Sequence, residues 1–531
     1  MKRAATRVLL PLFALAATVA GFYVAPARDA VLAQRWGLTE LNYAKAERAL
    51  AALDVGREHR AAGPSAPAVT ASLESGFFER PVRVALTSAD GALIRYTLDG
   101  SIPTPRSAAY RVPVPLDRSV VLRFRSFMPG APPGPTTTRT YIIGRDFGLP
   151  TVSMVVDPVL LWNKYSGIYA NPEKRGRKWR RPAHVEYFAD RSAAPIRFPA
   201  EVNIHGNWSR LVEPKKSFRL TYQPADLTGA GAGGVLKTAA AEEPRRAVIL
   251  RACAMDLGYR LGEELFRVIY ADAGGLVSPG RRVMVLLNGE AWGIYNLHQK
   301  IDRTYLTERF GPGEYEMISQ ERTPQPVVGS GELWHELMQF FSATDFRDDG
   351  AMRDAERRID LDNFTRHQLF NIYAANLDWP HNNEYAFRKI NGGDPRWRWI
   401  SWDADATFHA ERGLEHNTLA WATRDRLRHD LSYAGRMSDA EEFLSSTLIL
   451  RKLLENPGYR RQFTARLNEL MNTVFRPDVL RAQFDQIVAA LEPVLEVDWQ
   501  RWPRSKQEFA EGVQSVREFI AKRPAIVRRQ V

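Results

Sequence analysis

Residues 376–389 read NLDWPHNNEYAFRK, and a second acidic cluster, WDAD, follows at 402–405. Around one turn the chain keeps Asp378, Asn383, Asp403 and Asp405. Such a set either caps and braces a fold or holds a metal ion against a phosphate. The flanks give it a frame. Upstream, LDNFTRHQLFNIYAANL (361–377) opens with an acid and reads as a helix running directly into Asp378. Downstream, EYAFRKINGGDPRWRWISWD (384–403) reads as a β-hairpin turning at Asn391 to Asp394, which places Asp403 at a strand end.

The surrounding sequence is mixed α and β from about residue 148 onward. TVSMVVD (151–157), HVEYFAD (184–190), FPAEVNIHGNW (198–208), KKSFRLTY (215–222) and AVILRA (247–252) read as strands. GYRLGEELFRVIYADA (258–273) is an amphipathic helix, and RRVMVLLNGEAWGIYNLHQKID (281–302) is a hairpin with an Asn288-Gly289 turn. Beyond about 436 the pattern is helical to the end. LTGAGAGGVLKTAAAEEP (227–244) is a low-complexity surface insertion, and no internal repeat is visible.

Toward the N-terminus the texture changes twice. Residues 68–145 alternate apolar and polar residues with Asp-Gly turns at 90–91 and 99–100, the pattern of a small β-sandwich. Residues 31–67 are a helical stretch followed by the linker AAGPSAPAV (61–69). Residues 1–30 hold a basic head, MKRAATR, and the apolar run VLLPLFALAATVAGFYVA (8–25), which reads as a signal peptide or retained signal anchor. The expected fold class is multidomain α+β: 1–30, 31–67, the β-sandwich 68–145, and a large domain over 146–531 with a helical C-terminal half.

Composition fits a folded protein, with 45% apolar and 25% charged residues. The net charge of +12 favours anionic partners, but the arginines are scattered, which argues against a nucleic-acid arm. The densest basic run, EKRGRKWRRP (173–182), is a solvated loop or an anion-binding patch. One cysteine, Cys253, excludes an intramolecular disulfide. His298 and His381 have no second His or Cys at ligand spacing, so a zinc site is not expected. Trp292, Trp379, Trp397 and Trp399 are expected in the core.

Phosphoryl transfer needs cations on the phosphates, groups that hold Mg²⁺, and an Asp aligned with the acceptor hydroxyl. Protein kinases supply these with an Asp, an Asn five residues later, and a metal-binding Asp at a nearby strand end. Asp378, Asn383 and Asp403 have that spacing and setting. The segment 148–425 resembles the CotH-type atypical kinase family. Its blocks stand in the family's order: HGNWSR…PKKSFRL (205–220), LRACAMDLGYR (250–260), LNGEAWGIYNLHQKID (287–302), NLDWPHNNEYAFRK (376–389) and WRWISWDADATF (397–408). IRYTLDGSIPT (94–104), through Tyr96, Thr97, Asp99, Gly100 and Pro103, resembles the module at the ends of chitobiase-type glycosidases.

These resemblances imply a diverged protein-kinase-like domain using ATP with Mg²⁺ (or Mn²⁺) on Ser/Thr of exported proteins. Asp378 would orient the acceptor hydroxyl. Asn383 and Asp403 would hold the metal, with Asp405 an outer or alternate ligand. Lys216 or its neighbour Lys215, on a strand, would face the phosphates. Asn207 and Ser209 would belong to a loop over the nucleotide, and Glu263 or Glu264 would pair the lysine. Asp256 and Arg260 match a block without an assigned role. Two positions depart from the family: His205 stands where Arg is usual, and Gln299 where Glu is common. The implied partners are a protein with a Ser/Thr acceptor, a cell-envelope polymer at the β-sandwich and a membrane at the N-terminal segment, with no nucleic acid. The implied setting is extracytoplasmic. Two other readings stand beside this one: a non-catalytic envelope protein on a kinase-like scaffold, and a two-carboxylate glycosidase using Asp378 with Asp403 or Asp405.

Overall fold

The computed structural model describes residues 64–89, 91–207, 209–228, 245–252, 261–321, 323–424, 444–502 and 505–530. The basic head and apolar run, the helical stretch 31–60, most of the Gly/Ala insertion, Cys253, Asp256 and Arg260 lie outside the described residues. Among the described residues, no helix is long and apolar enough to cross a membrane. The chain divides into two compact units, and each draws on separated stretches of sequence. The first takes the described residues up to 252, with 280–298 and 494–502. The second takes 261–279, 299–493 where described, and 505–530.

The first unit is β-rich and opens with a small module. A five-stranded sheet and two short ribbons within residues 70–143 share one core, built from Val84, Leu86, Val114, Leu122, Phe124 and Tyr141. Next comes a closed barrel. Its seven strands run in the order Thr151–Val155, Arg181–Phe188, Ile196–His205, Ser217–Tyr222, Arg246–Ala252, Glu290–Gln299 and Gly280–Leu287. The parallel pairing of Thr151–Val155 with Gly280–Leu287 closes the ring and removes exposed sheet edges. The strand Ile196–His205 alternates buried and more exposed residues along its whole length, as the pleat requires of a wall with one dry face. Asn288 and Gly289 turn the hairpin with φ of 51° and 85°, the left-handed geometry that Asn-Gly favours.

Module and barrel are joined by buried polar contacts. Ser75 Oγ donates to Glu186 at 2.6 Å, the Thr140 and Ser153 hydroxyls meet at 2.7 Å, and Asp157 accepts from the Ile102 amide. Gly100 (φ 85°) abuts the side chain of Asn288, where an added Cβ would come within 2.5 Å. A larger residue at Gly100 would therefore have to displace the Asn288 side chain, which bonds both the amide and the carbonyl of Val156.

A further strut of the first unit comes from far along the chain. Asp498, on the short helix Leu495–Arg501, is buried against the barrel. It accepts from Lys215 Nζ at 2.9 Å through both oxygens and from the Ile294 amide at 2.7 Å. Lys215 also donates to the Ile294 carbonyl at 2.7 Å and lies over the Tyr295 ring. Removing one partner of a buried pair strands the other's charge. Lys215→Met is expected to destabilise the protein by about 3 kcal/mol, read by urea unfolding, with Asp498→Leu in the same chain restoring most of the loss. A single-variant cost under about 0.5 kcal/mol would show that the pair does not hold this helix.

The second unit is a five-stranded sheet and a helical tail. The sheet order is Leu276–Val277, Arg398–Ser401, Asn382–Lys389, Tyr315–Glu321 and Thr323–Val328. The hairpin expected from 384–403 forms its centre, in antiparallel register with Tyr385 opposite Ile400. Trp397 and Trp399 are buried under it. The helix expected before Asp378 spans Leu361–Tyr373, capped by Asp360, whose side chain accepts from the Asn363 amide at 3.1 Å. Helices Pro457–Asn472, Pro477–Leu491 and Lys506–Gln530 supply the helical half.

Candidate functional site

The helix Leu361–Tyr373 ends four residues short of Asp378, and the reason is local. Ala375 takes φ 51°, and the Asn376 amide folds back to the Asn371 carbonyl at 3.0 Å. A left-handed alanine costs about 1 kcal/mol, so the surroundings must hold it. Gly413 packs against it, and an added Cβ there would meet the Ala375 methyl at 3.2 Å. Two buried asparagines then carry the chain forward. Asn376 Nδ2 donates to Asn371 Oδ1 at 2.8 Å, and Asn376 Oδ1 accepts from the Asp378 amide at 3.1 Å.

Asp378, Asn383 and Asp403 meet. Asn383 Nδ2 donates to Asp378 Oδ2 at 2.7 Å and to the Asp403 carbonyl at 3.2 Å. Asn382 Nδ2 reaches the same Asp378 oxygen at 3.2 Å, and His381 Nε2 lies 3.3 Å from Oδ1. The Asp378 side chain keeps 40% of its surface open, enough for an incoming group to approach. The loop after Asp403 is stitched to the loop before Asp378: the Leu377 amide donates to the Ala406 carbonyl and the Phe408 amide to the Ala374 carbonyl. Non-glycine residues with positive φ are few among the described residues. Four of them stand here: Ala375, Asp403 and Phe408 in these two loops and Asn383 at the start of the strand Asn382–Lys389. Strained backbone concentrated in one place is a mark of a functional site.

The indole of Trp379 packs into the core beneath this loop and donates to Glu384 Oε2 at 2.9 Å. Glu384 lies 3.7 Å from His367 Nδ1, and both are buried. Burial pushes the Glu384 carboxyl up to about 8, against which the Trp379 hydrogen bond works weakly. Burial likewise drives His367 down to about 3, so at neutral pH the two form an uncharged contact. A carboxyl held tighter to its proton when folded stabilises fully below its unfolded value, and that stability is lost as pH rises through about 8. Glu384→Gln is therefore expected to come close to wild type near pH 5 and to exceed it by several kcal/mol near pH 9, in denaturant titrations at both pH values. Equal stabilities at the higher pH would mean that Glu384 is not kept neutral.

The remaining expected residues divide between the units. Glu263 is buried on the helix Leu261–Asp272 of the second unit. Its neighbour Gly262 lies against the Thr407 carbonyl, where an added Cβ would collide. Glu264, the other acid considered, forms a pair with Arg267 at 2.6 Å. Asp405 sits half-buried in the loop after Asp403, its carbonyl 3.1 Å from His409 Nε2. Lys215, Lys216, Asn207 and Ser209 belong to the first unit. The two lysines were expected on a strand; they lie just before it, because the strand begins at Ser217. Both are buried: Lys215 is paired with Asp498, and the Lys216 amide donates to Tyr169 Oη at 3.2 Å. Asn207 follows Gly206 (φ 104°) and accepts from Arg175 at 2.9 Å, which ties it to the basic run 173–182. Ser209 opens a single helical turn. His205 ends its strand opposite Ser217, and Gln299 donates to Glu308 at 2.6 Å, a contact that a glutamate would turn repulsive.

Among the described residues, no group of three or more His, Cys, Asp or Glu is placed to hold a metal ion. Mg²⁺ in nucleotide sites asks for less, one or two protein oxygens with phosphates and waters completing the octahedron. Asn383 and Asp403, which adjoin through the Asn383 Nδ2 bond to the Asp403 carbonyl, carry the oxygen types that smaller demand would draw on, a side-chain amide and a carboxylate.

Barrel, module and loop-borne carboxylates together define a multidomain α+β protein with a β-rich first part and a helical C-terminal stretch. The chain belongs to the CotH kinase protein family, which it matches over residues 202–527, more than half its length. Residues 73–138 match the chitobiase/beta-hexosaminidase C-terminal domain. No curated protein matches the chain.

Proposed function

We propose that this protein is an exported or membrane-tethered kinase that transfers the γ-phosphate of ATP to a Ser or Thr hydroxyl of an envelope or secreted protein. The observation that carries the reading is the joining of Asp378, Asn383 and Asp403 through one amide, with Asn383 and Asp403 both in left-handed backbone. Family membership supports it. In this reading the chain is a diverged kinase-like domain preceded by a β-sandwich that meets a cell-envelope polymer.

Asp378 is the base. Two amides fix its Oδ2, and Oδ1, which lies 3.3 Å from His381 Nε2 on one side, orients the acceptor hydroxyl and takes its proton as the new O–P bond forms and the bond to ADP breaks. Asn383 and Asp403 hold Mg²⁺ or Mn²⁺, with Asp405 behind them; the ion's part is to offset charge on the phosphates. Lys216 is the lysine that faces the phosphates in this reading; the three N–H groups of Lys215 hold Asp498 and the Ile294 carbonyl. Asn207 and Ser209 bring main-chain N–H groups to the nucleotide.

The test is transfer of label from γ-labelled ATP to protein, the chain itself included, with Mg²⁺ or Mn²⁺ present. Metal-dependent label on Ser or Thr supports the reading. No transfer and no nucleotide binding with any divalent ion would leave a non-catalytic envelope protein.

A further inference from the structure

The terminal helix Lys506–Gln530 carries Ser515, Phe519 and Arg523 at successive four-residue steps, hence on one face. All three point at the loops that bear the site. Ser515 Oγ accepts from the Ala410 amide at 3.1 Å and donates to Glu411 at 2.7 Å. The Phe519 ring meets Phe408 edge-on at 5.3 Å. Arg523 is fully buried, and its guanidinium makes five hydrogen bonds to main-chain carbonyls.

Those carbonyls fall in two groups. Ile372 (3.0 Å) and Tyr373 (3.0 Å) end the helix that leads to Asp378. Gly413, Leu414 (2.7 Å) and His416 (2.9 Å) follow the Asp403–Asp405 loop. Helix-end carbonyls lack intrahelical partners, and a cation there is favourable. A planar guanidinium bonds two separate groups of carbonyls in a fixed geometry; a lysine ammonium is a point charge and cannot hold both.

We propose that Arg523 is a positioning residue that clamps the end of the Asp378 helix to the segment after Asp405, with the terminal helix as the strut. The importance of this clamp for transfer rests on the kinase reading above; the clamp itself does not. The strut makes the helical tail part of the site's framework, though it lies more than a hundred residues from Asp403 in sequence.

The experiment compares the full chain with Arg523→Lys and Ser515→Ala in two readouts. In steady-state kinetics Arg523→Lys lowers kcat roughly 10- to 100-fold, as loss of support behind metal ligands does, and raises the Mg²⁺ needed for half-maximal rate, while KM for ATP moves less than about threefold. Ser515→Ala gives a smaller drop in kcat, about fivefold. In hydrogen exchange, amides of 374–381 and 404–416 lose protection in both variants while the barrel strand Ile196–His205 keeps its own. Wild-type kinetics and wild-type exchange in both variants would overturn the proposal. So would loss of protection throughout the chain in both, which marks ordinary core residues. If wild type transfers no phosphate, the kinase reading fails, and local exchange in the two variants still decides whether the clamp exists.

Discussion

If the chain is the kinase proposed above, Asp403→Ala is expected to lower phosphoryl transfer about a thousandfold or more while the protein stays folded. The side chain is half-buried at the end of the central hairpin, and the Asp403 carbonyl, which alanine keeps, is what Asn383 bonds. The substitution therefore removes a carboxylate and keeps the carbonyl that Asn383 bonds. Alanine at φ 57° costs about 1 kcal/mol, too little to unfold a domain of this size. In the proposed reading, what is lost is a carboxylate that would help hold the metal ion. The check is initial rate against melting temperature: a rate within tenfold of wild type, in a folded variant, would remove Asp403 from the site.

Asp378→Asn acts differently. The substitution keeps the size and one carbonyl oxygen, so the Asn383 amide retains an acceptor. In the proposed reading it removes the atom that would take the acceptor's proton, for which losses of about a hundred- to ten-thousandfold are usual. Nucleotide affinity should move less than about threefold, because the base is needed only as the acceptor reacts. A fall in affinity with an unchanged rate constant would assign Asp378 to the metal instead.

Much of the local architecture was legible because it is written in short-range chemistry. Asn288-Gly289 announced its hairpin, and the apolar spacing of 361–373 its helix. Asp378, Asn383 and Asp403 stood out because kinase chemistry links them at that spacing. Barrel closure was not legible, since it depends on Thr151–Val155 pairing with a strand more than a hundred residues later. Lys215 drew attention as a cation, but its partner Asp498 lies 283 residues away. The hairpin of Tyr315–Glu321 with Thr323–Val328 and the helices Glu332–Ala343 and Asp349–Arg358 also passed unremarked. The residues that hold the site had no role legible in sequence: Asn376 and Glu384 stand within the opening stretch without an assigned part, and Asn371 and Arg523 gave no signal. Each works by bonding backbone or a neighbour that only the folded chain brings near.

The central claim is that this chain binds a metal–nucleotide complex through Asn383 and Asp403. Calorimetric titration of ATP into the full chain, with Mg²⁺ and then with the metal chelated, tests it most directly when run beside Asp403→Ala. The expected result is saturable binding with Mg²⁺ or Mn²⁺, weakened at least tenfold by chelation and by Asp403→Ala alike. No heat of binding with either ion, or binding that neither change weakens, would contradict it.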